Sequence, residues 1–531
     1  MVIATPTLFT APAQRRCAGA LLLLALAGAS CRSGGAGVGL AKGERSDEAP
    51  PDVPVPSADG PKLVALRAGV PVRARPAADA RPLGELAAGA RIARSQESYG
   101  KAGCPGSWYA VRPRGFVCAG EGVTLRAEVA DLLPAPPDLG RPLPYRYGRA
   151  RTPGTPAYRW VPSAGEVRDA EPDLSRHLAK IERDPGALGA AANDVPLDAR
   201  GVAAGPPVLL PAGDGIGADG KRSDASYFVF AGGEGAAPLV ALTALGGDLG
   251  TKTAALRKGS GVAITRTFTA GDAGGAGRRF GVTPDGRLVP TDRLQAALGS
   301  TWHGIDVEKL GLPVAFVHKY EVHGWRLGRG EATETDEELE RHAAVPLTGR
   351  FRTVNGLRFE EAREGYWLRA QDLVVVIRRS KLPEFAKGSQ RWLDVSVATQ
   401  TLTAYEGSKP VYATLISTGR DQLQDPATTA STARGVFRVR RKLVTRDLDP
   451  REVQEGFDVA DAPWVMELEP GLAITGAYWT DAVGEARTFH NVALAPIDAR
   501  RLWTWSEPEL PEGWHAVTSA EGEGTIVNVR P

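Results

Sequence analysis

Period-two alternation is the feature that most restricts what this chain can fold into. Leu393, Val395 and Val397 alternate with Asp394 and Ser396, following Trp392. Leu402 and Ala404 alternate with Thr401, Thr403 and Tyr405, following Gln400. A strand sends successive side chains to opposite faces, so such runs read as strands, whereas a helix needs apolar spacings of three and four. Glu406-Gly407-Ser408 is turn material. Pro410–Ser417 then reads as a third strand, ending in Ser417-Thr418-Gly419. Together they predict an antiparallel meander. Similar short runs occur earlier, at Val70–Arg73, Ala90–Arg94, Trp108–Arg112 and Gly115–Cys118, and again from Pro346 to Val376. With 63 Gly and 41 Pro among 531 residues to punctuate them, the expected class is mainly β.

Composition narrows the function classes. Apolar residues are 43% and charged residues 24%, which excludes a disordered or collagen-like chain. Lys+Arg of 64 against Asp+Glu of 62 leaves +2, so there is no electrostatic footprint for nucleic acid. The four cysteines are Cys17, Cys31, Cys104 and Cys118, and none lies beyond residue 118.

The N-terminus reads as an export signal. Arg15 and Arg16 precede the apolar run Ala18–Ala27, which is too short to span a bilayer. Ala29-Ser30-Cys31 resembles a bacterial lipoprotein cleavage box, with Gly28 where such boxes carry an aliphatic residue. That resemblance implies residues 1–31 as signal, lipidation of Cys31 and a membrane anchor on the periplasmic side. Plain secretion is the alternative. Residues 32–60, with Ser33-Gly34-Gly35 and four prolines from Pro50 to Pro56, read as a flexible linker. In an oxidising envelope Cys104 and Cys118, the remaining pair, are expected to form a disulfide.

Gly106-Ser107-Trp108-Tyr109-Ala110-Val111, followed by Gly115-Phe116-Val117-Cys118, resembles the end of a bacterial SH3-like domain. It implies a small barrel over 61–135 that binds peptidoglycan or a protein partner, or serves as a spacer. Gly365-Tyr366-Trp367-Leu368-Arg369 echoes it and suggests a second such unit, or a strand layer, over 346–384. The stretch 136–345 is a mixed, largely β region of unassigned fold. In it Leu174, His177, Leu178 and Ile181 mark a short helix over Pro172–Arg183. Val208–Leu210, Tyr227–Ala231, Pro238–Leu242, Arg278–Arg293 and Leu312–Val317 read as strand material. Gly215–Lys221 spells most of a phosphate loop, but Arg222 stands where Ser or Thr would hold a metal, and no strand-to-helix context surrounds it. It reads as a surface turn. His318 and His323, five apart on a strand, point to opposite faces, so with Glu321 and His303 they make no metal site. No cofactor is expected.

The stretch 385–531 resembles the catalytic domain of the L,D-transpeptidase family of the YkuD type. The meander, Gln400-Thr401-Leu402 with Tyr405-Glu406-Gly407, and Ser417-Thr418-Gly419 follow in the family's order. So do Gly435–Val439, Ala462–Met466, Gly476-Ala477-Tyr478-Trp479, Gly484, Val492, Leu494, Pro496, Leu510–Trp514 and Gly524–Val527, although Ala433 replaces the family's Pro. The resemblance implies a β-sandwich or barrel acting on peptidoglycan stem peptides. In that chemistry a cysteine thiolate attacks the acyl carbon, a histidine takes its proton and backbone N–H groups hold the oxyanion.

The signature of that chemistry is dismantled here. The positions of the two family histidines are Thr475 and Thr480. The Ser-His-Gly-Cys positions are Thr488, Phe489, His490 and Asn491, and sliding the register by one puts Val492 at the nucleophile. An amide nitrogen delocalised into its carbonyl does not attack an acyl centre, and a threonine is no base at neutral pH. The resulting expectation is a non-catalytic envelope protein that binds stem peptides or a protein partner, with Tyr478, Trp479, Thr488 and His490 lining the former groove. Two alternatives stand beside it. One is rebuilt acyl transfer using Thr488 and His490 oriented by Asp481, or a residue of the middle region. The other is a purely structural envelope role.

Overall fold

The computed structural model describes residues 53–531 apart from 121, 128–129, 131–132, 134–135, 160–161, 184–208, 211–226, 229–239, 242–252, 271–277, 298, 449–451 and 453–455. The signal segment, Cys17, Cys31, most of the linker and the Gly215–Lys221 loop lie outside the described residues, as do parts of the three strands expected between 208 and 242.

The chain is mainly β. The expected meander is present as Arg391–Ser396, Thr401–Glu406 and Lys409–Leu415, paired antiparallel through Leu393↔Ala404 and Thr403↔Ala413. It forms a six-stranded sheet, ordered Ile305–Asp306, Lys409–Leu415, Thr401–Glu406, Arg391–Ser396, Ile526–Arg530 and Gly435–Arg438. The alternation explains its faces. Leu393, Val395, Leu402 and Ala404 enter a core with Trp464, Met466, Ile474, Val492 and Val527. Each such side chain contributes roughly 1.5–3 kcal/mol by leaving water. Thr401, Thr403 and Tyr405 occupy the other face. The helix Pro496–Trp505 starts on Pro496, whose missing N–H costs nothing at that position, and buries Ala499, Leu502 and Trp503 in the same core.

Opposite lies a second sheet containing Arg441–Leu448, Val459–Glu469, Leu472–Gly476, Val492–Leu494 and Trp514–Thr518. It does not end at the domain edge expected near residue 385. Trp514–Thr518 pairs with Pro82–Leu86, and Gly84 sits so close that an added Cβ would lie 2.1 Å from the Ala516 carbonyl oxygen. Trp514 and Val517 join Val72, Leu86, Ile92 and Val117 in the core of the N-terminal strands. Cys104 and Cys118 are disulfide-bonded, with Cα atoms 5.7 Å apart.

The middle region extends the same sheet through Arg146–Ala150, Gly261–Ile264 and Leu294–Ala296. The expected helix is Leu174–Arg183, and Arg278–Arg293 is a hairpin of Arg278–Val282 and Leu288–Pro290 rather than one strand. A buried ion network holds it. Arg278 donates to both Glu171 oxygens at 2.7 Å and to Asp292 at 3.0 Å, and Arg293 donates to Glu171 at 2.8 Å. Every charge there has an opposite partner, as burial requires.

The segment 314–376 forms a seven-stranded sheet, ordered Ala332–Leu339, Val322–Leu327, Trp367–Arg369, Leu357–Ala362, Ala344–Val354, Val314–Val317 and Leu373–Val376. Asp498 fastens the residues leading into it to the meander: its buried carboxylate accepts from Gly304 N–H, Tyr412 O–H at 2.6 Å and Thr414 O–H. No helix among the described residues is long and apolar enough to cross a membrane.

Candidate functional site

The strands Leu472–Gly476 and Val492–Leu494 run parallel, with Ile474↔Val492 and Thr475↔Ala493. They place Asn491, just before the second strand, beside the first. The Asn491 side chain is 2% exposed. Its Oδ1 accepts the Ala473 N–H at 2.9 Å, which fixes the amide's orientation, and its Nδ2 has no partner. Thr475 is buried and donates to the Pro463 carbonyl at 3.2 Å.

Ser417-Thr418-Gly419 threads alongside. Gln400, at φ +52, holds Thr418 from both sides: its Oε1 accepts Thr418 N–H at 2.8 Å and its Nε2 donates to Thr418 Oγ1 at 2.6 Å. Gly419 bridges to Thr488, and a Cβ there would lie 2.7 Å from the Phe489 carbonyl, so glycine permits the close approach. This packing sets the turn 488–491. Thr488 Oγ1 donates to the Asn491 carbonyl at 2.5 Å, and His490 Nε2 bonds to the Thr429 carbonyl at 3.1 Å. Phe489 lies against the His490 ring, with centroids 4.0 Å apart.

Thr475, Trp479, Thr480, Thr488 and Asn491 surround one small cavity together with Ser417 and Arg487. Its volume is about 20 Å³, room for a single water, and Trp479, Thr480, Arg487 and Thr488 of its lining reach the surface. Two of the expected groove residues are elsewhere. Tyr478 is buried against Tyr147, with ring centroids 4.1 Å apart, and donates to the Ala460 carbonyl at 2.7 Å. His490 is turned to Thr429. The Thr488 proton is committed to a backbone carbonyl rather than to the imidazole, and Asp481 is exposed. No Thr–His–Asp relay is therefore assembled.

Sequence patterns gave no signal for a second cavity, of about 690 Å³, whose lining includes Gly261, Asp285, Arg287, Asp447 and Asp461. Burial and the neighbouring Asp447 carboxylate push the Asp461 carboxyl well above the usual range, while Thr445 O–H donates to it at 3.0 Å. Burial likewise raises Asp447. Among the described residues no group of three or more His, Cys, Asp or Glu is arranged to hold a metal ion.

Part of the chain is structurally similar to L,D-transpeptidases. An L,D-transpeptidase from Mycobacterium smegmatis shares 13% identity, covering 45% of this chain and 89% of that one, at a TM-score of 0.22. An Enterococcus faecium L,D-transpeptidase mutant shares 17%, covering 27% of this chain and 50% of that one, at 0.20. The catalytic domain of an E. faecium L,D-transpeptidase shares 18%, covering 27% of this chain and 98% of that one, at 0.20. The match thus spans half the length of the mutant enzyme and nearly all of the isolated catalytic domain. No family model matches the chain, and no curated protein does.

Proposed function

We propose that this chain is an extracytoplasmic envelope protein that binds peptidoglycan stem peptides or an envelope protein without transferring acyl groups. The observation that carries the reading is Asn491. It stands at the family's nucleophile position, its side-chain oxygen is bonded to the Ala473 N–H, and it faces about 20 Å³ of space. The remaining members of the motif are equally unsuited: Thr475 in place of a base, and His490 in place of the glycine that tightens the turn. Loss of the nucleophile alone costs on the order of a million-fold in turnover in a comparable acyl-transfer enzyme. The SH3-like reading of 61–135 and lipidation at Cys31 belong to the same proposal, as does the disulfide in an oxidising compartment.

The test is incubation of the purified full chain with disaccharide-tetrapeptides. The expected result is no release of D-Ala above buffer, with co-sedimentation of the chain on isolated sacculi or on an envelope partner. Sustained D-Ala release that disappears in Thr488→Ala and His490→Ala would establish rebuilt chemistry instead. Full-length variants are needed, because Trp514 and Val517 belong to the core of the N-terminal strands and cutting the chain between them would expose it.

A further inference from the structure

The strand Leu373–Val376 is the last of its seven-stranded sheet. Its one neighbour is Val314–Val317, in the register Phe316↔Val374 and Val314↔Val376. His318 N–H donates to the Asp372 carbonyl at 2.8 Å, which continues the same register. In an antiparallel ladder every second residue exchanges both its hydrogen bonds with the neighbour, so here Asp372, Val374 and Val376 face Val314–Val317. Val375 therefore turns its N–H and its C=O the other way. Neither has a hydrogen-bond partner among the described residues.

Exposed edges are usually blunted with a charge, a proline or a bulge, because a free ladder recruits other strands. Leu373-Val374-Val375-Val376-Ile377 has none of these, and Ile377 is 64% exposed. The edge instead forms the wall of a groove. Cavities of about 540 and 400 Å³ meet at Val375 and Thr399. The floor is the outer face of the meander, Thr399, Thr401 and Thr403. The rim is cationic. Arg379, Lys381, Arg487 and Arg530 are set against Asp394 and Glu485, and Lys381 has no carboxylate partner among the described residues.

We propose that this groove binds an extended, acidic segment of a partner protein, which adds a strand to Leu373–Val376. Opposite Val375 one residue of the segment would exchange two backbone hydrogen bonds, and its carboxylates would meet the cationic rim. The ladder favours a protein segment over a peptidoglycan stem. A regular strand requires negative φ at successive residues, and the D-centres of a stem prefer the mirror-image region. Arg487 lines both this groove and the small cavity at Asn491, but Val375 and Lys381 belong to the groove alone, and the proposal does not depend on whether the cavity at Asn491 is catalytically inert.

The test is fluorescence polarisation of the full chain with a labelled, blocked hexapeptide of alternating Glu and Val, and with its Lys–Val counterpart. The Glu–Val peptide is expected to bind saturably, at least roughly tenfold more tightly than the Lys–Val peptide. Val375→Pro removes the outward N–H without breaking a bond of the sheet, because proline is tolerated on an edge strand whose N–H faces out. It should abolish binding while leaving the thermal melt unchanged. Lys381→Glu should weaken binding several-fold. Absence of Glu–Val binding, or equal binding by folded Val375→Pro, overturns the proposal, as does Val375-dependent capture of disaccharide-tetrapeptides in preference to the peptide. So would self-association of the chain that displaces the peptide, which would place the acidic strand Ala332–Leu339 of a second copy in the groove.

Discussion

Under the proposed reading, replacing Asn491 with cysteine puts a thiol where the resemblance implies a nucleophile. Its consequences follow from the geometry. The site is 2% exposed and opens on about 20 Å³. A free cysteine of pKa about 8.5 is only about 3% thiolate at pH 7. Alkylation by iodoacetamide, followed by mass spectrometry of the peptide carrying residue 491, should run at least ~100-fold slower in the folded Asn491→Cys protein than in its urea-unfolded form. That factor corresponds to about 2.7 kcal/mol of local opening. The substitution leaves Ala473 N–H without its acceptor, a cost of about 1–3 kcal/mol, so a thermal melt must first show that the variant is folded. D-Ala release should remain absent, because Thr475 cannot take the thiol proton and His490 is held by Thr429. Labelling within tenfold of the unfolded rate, or release of D-Ala, would refute the reasoning that residue 491 is shielded and that no base serves it.

Lys442 is buried, donates to the Ser506 carbonyl at 2.7 Å and lies 4.3 Å from the Trp503 ring centroid; desolvation lowers its pKa from 10.5 to about 7. The unfolded chain therefore holds the extra proton between pH 7 and 10.5, and stability should rise across that window by on the order of 4 kcal/mol. Denaturant titrations at several pH values should show this rise in the wild type and lose it in Lys442→Met. For Asp461 the sign is opposite. Its folded pKa is raised, so its contribution is present in acid and is lost as pH climbs from the ordinary carboxylate value through the folded one. Asp461→Asn keeps an acceptor for Thr445 and tolerates φ +51, so it should raise Tm at pH 7 by about 2–4 °C and flatten the pH profile. Cys104→Ala with Cys118→Ala should cost about 3 kcal/mol. The loss should register as a lower denaturation midpoint in tryptophan fluorescence, Trp108 being packed in the same cluster as both cysteines.

How much of this was legible in the sequence depended on the range of the interaction. Leu393, Val395 and Leu402 announced their face because alternation is local. The identities at 475, 488 and 491 could be read because a motif fixes position by order along the chain. Long-range relations were not written in any pattern. Nothing near Gly84 indicates that Ala516 will press against it, and nothing near Glu171 indicates Arg278, which lies 107 residues away. Gln400 shows a middle case. It reads as the first residue of a strand, yet its left-handed backbone makes it a clamp on Thr418, a role that only the fold defines. The free edge at Val375 was hidden for the same reason: a run of valines gives a strand but not its place in the sheet.

The contrast between the two clefts follows from where hydrogen bonds end. A catalytic group must keep a lone pair or a proton directed at space that a substrate can enter. Around the small cavity Thr475 donates to Pro463, Thr488 donates to Asn491, and His490 is engaged by Thr429. The Asn491 oxygen likewise accepts from Ala473. Asn491 Nδ2 has no partner among the described residues and faces a volume the size of one water, which the Ser417 and Thr480 hydroxyls and Glu452 also line. Freeing any of these side chains leaves a polar atom without its hydrogen bond, at about 1–3 kcal/mol where that atom is buried. At the groove the situation is reversed. Val375 carries an N–H and a C=O with no hydrogen-bond partner among the described residues. A ligand can gain backbone bonds there without the protein giving any up, which is the physical basis of the strand-addition proposal.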